Sequence, residues 1–267
     1  MLALFWRSLR DRKNSIIIYT VVSVGLILMY AALFPTVKSQ ADQMQTLLKA
    51  YPKSFMKAFN MDNAFFSNYE SYMSTEEFSL MWPILLFCMV IAWGGSAIAG
   101  EIDKGTMKFL LSQPISRTKI FFAKYIAGLK ALGIYTVLTV ASCPLFGALL
   151  GFDVKLENYF KLAVVGILLG WAVFSISIFF SAIFSDKGKP YFITAGILIL
   201  MYAANIASSL KESISDLKYI SFFYYYNPAQ TLAHGKIDDL TFWVFIGLSI
   251  IFSSLAVLIF NRRDVTN

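Results

Sequence analysis

Residues 78–100 read FSLMWPILLFCMVIAWGGSAIAG, a stretch without a single formal charge. A helix of that length rises about 1.5 Å per residue and crosses roughly 30 Å of hydrocarbon with its backbone polar groups satisfied internally. Five further charge-free runs follow the same pattern, at 15–37, 131–152, 162–185, 190–210 and 240–261. Across all 267 residues 58% are hydrophobic, 15% are charged and the mean hydropathy is +0.64. Soluble domains carry about 25% charged residues, and their helices need a polar face that these runs lack. The pattern predicts an all-α polytopic membrane protein. It forms a single transmembrane domain over 1–267 with six transmembrane helices, and it is not a soluble enzyme.

The charges between the runs are sorted by side. If the N-terminus is cytoplasmic, the inside segments 1–14, 101–124, 186–189 and 262–267 hold 13 basic and 5 acidic residues. The outside segments 35–77, 153–161 and 211–239 hold 9 basic and 11 acidic residues. The net charge of +7 would suit nucleic acid in a soluble chain, but this asymmetry follows the positive-inside rule and implies no nucleic-acid partner. It predicts a cell-membrane protein with both termini cytoplasmic.

Several segments outside the runs carry local signals. Leu2, Phe5, Trp6 and Leu9 recur at helical spacing with Arg7, Arg10, Asp11 and Lys13 at other angles, which predicts an amphipathic elbow helix on the membrane surface over 1–14. Asn14 and Ser15 are expected to turn it into span one, and Pro35 to close that span. Within 35–77, pieces at 41–50 and 54–59, and a polar, aromatic piece at 68–77 that leads into span two, look like interfacial helices over the outer mouth. The segment 153–161 reads as a short outer turn. Segment 211–239 contains YISFFYYYNPAQTL from Tyr219, with aromatics suited to the headgroup level and Pro228 to interrupt a helix. It predicts one or two partly embedded outer helices.

Small residues at 93–100, at Gly147 and Gly151, and at Gly166 and Gly170 permit close helix packing. Cys88 and Cys143 both fall within spans and read as small apolar side chains rather than a disulfide. The sole histidine, His234, excludes a multi-histidine metal site. Lys130 lies about 9 Å beyond Lys124 along a helix and would either snorkel to the headgroups or line a pathway.

The connector 101–117, EIDKGTMKFLLSQPISR, is the most specific stretch. Gly105 permits a sharp turn, Thr106 is placed to cap a helix over 106–111, Pro114 stops it, and Ser116 can cap the next helix. Met107, Leu110 and Leu111 gather on one side. Glu101 and Arg117 would form an ion pair or hold the connector against a partner, or else be solvated charges.

These residues resemble the connector of ABC-2 type transporter permease subunits. There a Glu precedes Gly-Thr, two leucines, Pro-hydrophobic-Ser-Arg and a Lys, matched here by Glu101, Gly105, Thr106, Leu110, Leu111, Pro114, Ile115, Ser116, Arg117 and Lys124. The tail Phe260-Asn-Arg-Arg-Asp264 and the aromatic outer segment are similar as well. The long first outer segment resembles the branch with multidrug, bacteriocin-immunity and copper-related permeases.

The resemblance implies a type V exporter-like fold with six spans and an elbow helix. It also implies a permease working with a separate ABC ATPase subunit and a second permease copy in a membrane lipid environment. The chain lacks the G-x-x-x-x-G-K-[ST] loop, so it is no enzyme and binds no cofactor directly. ATP and Mg would bind the partner. ATPase coupling would fall to Glu101, Gly105, Thr106, Met107, Leu110, Leu111, Pro114 and Arg117, helped by the N-terminal helix and the 185–189 turn. The implied activity is export of an amphipathic compound, peptide or lipid-like substrate by alternating access. The alternative is a non-transporting sensory or immunity protein on the same scaffold.

Overall fold

The computed structural model of the protein describes residues 1–40 and 68–264, so the expected outer helices at 41–50 and 54–59 lie outside the described residues. Among the described residues six helices are long and apolar enough to cross a membrane: span one Lys13–Ser39, span two Tyr69–Ala97, span three Arg117–Leu149, span four Leu156–Ile183, span five Gly188–Leu210 and span six Asp239–Arg262. The short helix α1 (Leu2–Asp11) precedes them, and α2 (Ala99–Asp103) and α3 (Met107–Leu111) join spans two and three. Among the described residues there is no strand.

Span four is the axis of the bundle. It packs against spans two, three, five and six, and 72% of its most apolar window is buried, against 17% in spans one, five and six. Glycines make this approach possible. A Cβ on Gly94 would stand 2.7 Å from Ser177 Cβ, one on Gly166 2.7 Å from Trp82, and one on Gly170 2.6 Å from Leu132. The small residues therefore serve contacts within this chain. Gly151 does not share in them: it lies beyond the end of span three with φ +78° and turns the chain toward span four.

Several expected boundaries move. The turn into span one falls at Arg12 (φ −101°, ψ −3°), not at Asn14 and Ser15. Pro35 lies inside span one, because a proline near the C-terminal end removes a single backbone donor and the last turn continues to Ser39. The helix after the outer turn begins at Leu156, so most of 153–161 belongs to span four.

The largest correction concerns 68–77, which is no interfacial cover. Asn68 caps a helix that runs straight into span two, accepting from the backbone of Glu70 at 2.8 Å and Ser71 at 3.1 Å. Tyr69, Tyr72 and Met73 are core residues. Long-range bonds hold them there, since Tyr69 donates to the Cys143 carbonyl at 3.0 Å and the Lys155 amide donates to Glu70 at 2.7 Å. Ser74–Met81 then winds as a π-helix ahead of Pro83, which cannot donate to the preceding turn. The segment between spans five and six holds more pieces than the one or two helices expected: 3₁₀ turns over Glu212–Ile220 broken at Ile214 (φ −124°, ψ 19°), one α-turn at Phe222–Tyr225 and a π-turn at Ala229–Ala233, with Pro228 between the last two.

Candidate functional site

The connector folds where span two breaks. At Ile98 the backbone leaves helical geometry (φ −113°, ψ −56°), and the break is satisfied from span four. Ser181 Oγ accepts from the amides of Ile98 at 3.0 Å and Ala99 at 2.9 Å and donates to the Gly95 carbonyl at 2.7 Å. One hydroxyl thus fixes the start of α2 to the central helix. Gly105, at φ +70°, makes the sharp turn from α2 to α3 that only glycine adopts without strain.

Thr106 does not cap α3. Its hydroxyl donates to the Glu101 carboxylate and to the Glu101 carbonyl, closing the α2–α3 turn on itself. Ser116 does cap span three, accepting from the Lys119 amide at 3.4 Å. The other Glu101 oxygen accepts from Lys124 Nζ at 2.6 Å, with the Lys124 side chain 6% exposed and that of Glu101 26%. Burial pushes the Glu101 carboxyl up. Lys124, the Thr106 hydroxyl and Arg7 outweigh it and hold the carboxyl below the usual carboxylate range.

Glu101 and Arg117 therefore do not pair. Arg117 instead donates to the carbonyls of Phe260 at 3.1 Å and Arg263, at the C-terminal end of span six. Arg263 in turn donates to the carbonyls of Ala182 at 2.9 Å and Phe184 at 2.8 Å, at the end of span four. A guanidinium at a helix C-terminus satisfies orphan carbonyls and meets the negative end of the dipole. Two of the arginines noted in the sequence are thus helix caps. The turn at 185–189 also reaches the connector, with Lys187 Nζ 3.7 Å from Asp103.

The α3 helix has two faces. Met107 is 1% and Leu110 8% exposed, and both join the bundle core with Leu111 packed beside them. Phe109 is 74% exposed and lies beside exposed Lys108; Pro114 is exposed as well. The apolar residues singled out in the sequence anchor the helix, and Phe109 is the one it presents outward. Grouping Met107, Leu110 and Leu111 on one side picks out the anchoring face and misses the lone aromatic, Phe109.

Lys130 is exposed. Its ammonium stands 4.7 Å from the Trp6 ring centroid and 5.6 Å from that of Phe5, so it turns back to α1. The α1 helix rests on span three with Ser8 buried, while Leu2 and Trp6 stay exposed.

Sequence reasoning also missed Glu77. It is fully buried in span two, and neither carboxylate oxygen has a hydrogen-bond partner among the described residues. One turn further, Trp82 is stacked between Tyr135 and Tyr226 at 6.0 and 6.2 Å. The acidic pair Glu76-Glu77 reads as outer-loop charge until the helix is seen to start at Tyr69. An apolar groove of about 390 Å³ between spans four, five and six is lined by Phe180, Met201, Tyr219, Phe222 and Phe252. Cys88 and Cys143 are free thiols, and no group of three or more metal-ligating side chains occurs among the described residues.

Five apolar spans around the buried span four, with a fixed connector and arginine-capped helix ends, define a multi-pass α-helical membrane protein. The family model described as ABC-2 family transporter protein matches residues 2–265, and the chain belongs to that family. Comparison with curated proteins gives no match.

Proposed function

We propose that this chain is the permease subunit of an ATP-driven exporter, coupled through the 99–117 connector to a separate ATPase and paired with a second permease copy. The observation that carries it is the anchoring of the connector. Ser181 ties its start to span four, the Glu101–Lys124 bond at 2.6 Å ties it to span three, and Gly105 and Thr106 lock the turn between. A push on α3 is thereby passed to spans three and four, and to span two, which α2 directly follows.

Membership of the ABC-2 family supports an ATPase partner that supplies ATP and Mg. In this scheme Phe109 and Lys108 meet the ATPase, while Met107, Leu110 and Leu111 transmit its motion, with Pro114 and Arg117 setting the entry to span three. The excess of basic residues on the connector side supports a cytoplasmic face there. The exposed apolar faces of spans one, five and six supply surface for a second copy and for lipid. The apolar groove beneath Tyr219 and Phe222 favours an amphipathic compound, peptide or lipid-like cargo.

The test is purification of the tagged chain from its native membranes in mild detergent. An ATPase subunit carrying a G-x-x-x-x-G-K-[ST] loop should co-purify, and Gly105→Val should remove it while the permease stays monodisperse. A folded permease that carries no such subunit would overturn the proposal and favour the non-transporting alternative.

A further inference from the structure

A cavity of about 540 Å³ opens at the connector end of the bundle, between α1, the end of span two and the start of span five. Five cations and two carboxylates line it. Asp11 lies 3.9 Å from Arg7, and Glu101 is taken by Lys124. Both acids are thus engaged, which leaves the field of Arg12 and Lys104 unbalanced. Lys104 is exposed and makes no ion pair among the described residues.

Arg12 sits at the break between α1 and span one. Its Nη2 donates to the Trp93 carbonyl at 3.1 Å, and its guanidinium lies 5.6 Å from the Trp93 ring. Its Nη1 is buried with no hydrogen-bond partner. Burial pulls this guanidinium down to about 10, against Tyr191, Asp11 and Glu101, so it stays charged at neutral pH. A buried cationic donor without an acceptor is costly, and an anion that reached it would recover that cost.

The location limits what that anion is. The cavity lies where spans one, two, three and five begin or end, which is the headgroup level of a bilayer about 30 Å thick in its core. Exposed Trp6 on α1 is an interfacial residue at the same end. Arginine takes a phosphate through paired N–H donors, and a lysine close by adds a point charge.

We propose that this cavity binds a phosphate-bearing anion, the headgroup of an acidic phospholipid from the leaflet at that end, held by Arg12 and Lys104. The site stands apart from the cargo groove, and it holds whether or not the chain is an exporter. A bound headgroup would brace α1 and the connector against span two. It would make the coupling element responsive to acidic lipid.

The experiment is thermal unfolding of the purified full chain in neutral detergent, titrated with dioleoyl phosphatidylglycerol, with dioleoyl phosphatidylcholine or with inorganic phosphate. Phosphatidylglycerol should raise the midpoint saturably while phosphatidylcholine does not. Arg12→Gln and Lys104→Gln should each move the half-saturating lipid concentration up roughly tenfold, the loss of one charged hydrogen bond. Lys104 is on the surface, so its variant keeps the test sound if Arg12→Gln fails to fold. An equal rise with phosphatidylcholine, or an unchanged titration in Lys104→Gln, would overturn the proposal. Inorganic phosphate that matches the lipid at equal concentration would overturn the lipid source and leave a free-phosphate site.

Discussion

Phe109 offers a direct measure of the coupling surface. Its side chain is 74% exposed on a helix whose other apolar residues, Met107 and Leu110, are 1% and 8% exposed. Full burial of such a side chain stabilises by about 1.5–3 kcal/mol. Covering the exposed part in a groove of the ATPase is therefore worth about 2 kcal/mol, and Phe109→Ala should weaken the permease–ATPase complex roughly thirtyfold. Because little of the ring touches the bundle, the thermal midpoint of the isolated permease should stay within about a degree of the original. Met107→Ala reverses the pattern, losing about 2–4 kcal/mol of permease stability through a core cavity. The assay is titration of the purified ATPase onto nanodisc-embedded permease, with unfolding of the permease alone as control. Affinity unchanged within twofold in Phe109→Ala would refute the outward assignment of that ring.

The buried ion pair gives a pH-dependent prediction. Glu101→Gln leaves Lys124 buried without its counter-charge and should cost about 3 kcal/mol, and Glu101→Gln with Lys124→Met should recover most of it in chemical unfolding. Because the folded Glu101 carboxyl lies below its ordinary value, its contribution is complete above about pH 5 and is lost as pH falls through the lowered value. Glu101→Gln should lack that acid-side loss. Gly94→Val should destabilise by about 1–3 kcal/mol by forcing spans two and four apart at Ser177. Gly133→Ala meets nothing within 4 Å and should be tolerated or slightly stabilising in the same thermal assay. Trp6→Ala removes the nearer ring beside Lys130 and should cost about 0.5–1 kcal/mol, read by proteolytic release of α1.

Much of this architecture is legible in residue order because the bilayer imposes it. A run such as 240–261 satisfies its backbone only as a helix, so spans, connector and tail follow from hydropathy and charge alone. The glycine at 105 and the cap at Ser116 are equally local, since a positive φ and an N-cap depend on near neighbours. The segment 68–77 was misplaced because its polar side chains look solvated. Their acceptors and donors, the Cys143 carbonyl and the Lys155 amide, lie more than seventy residues away.

Residue order alone determined six apolar helices, a charged connector after the second and an arginine-rich tail after the sixth. Tertiary structure decided which charges meet: Glu101 with Lys124 rather than Arg117, and Arg117 and Arg263 on the ends of spans six and four. It also decided that Glu77 is inside the bundle and that Phe109 is outside it. The reason is the reach of each force. Transfer into hydrocarbon acts on a helix as a whole and is written in composition. The choice of partner for a single side chain depends on where neighbouring helices cross, and only the packed bundle fixes that.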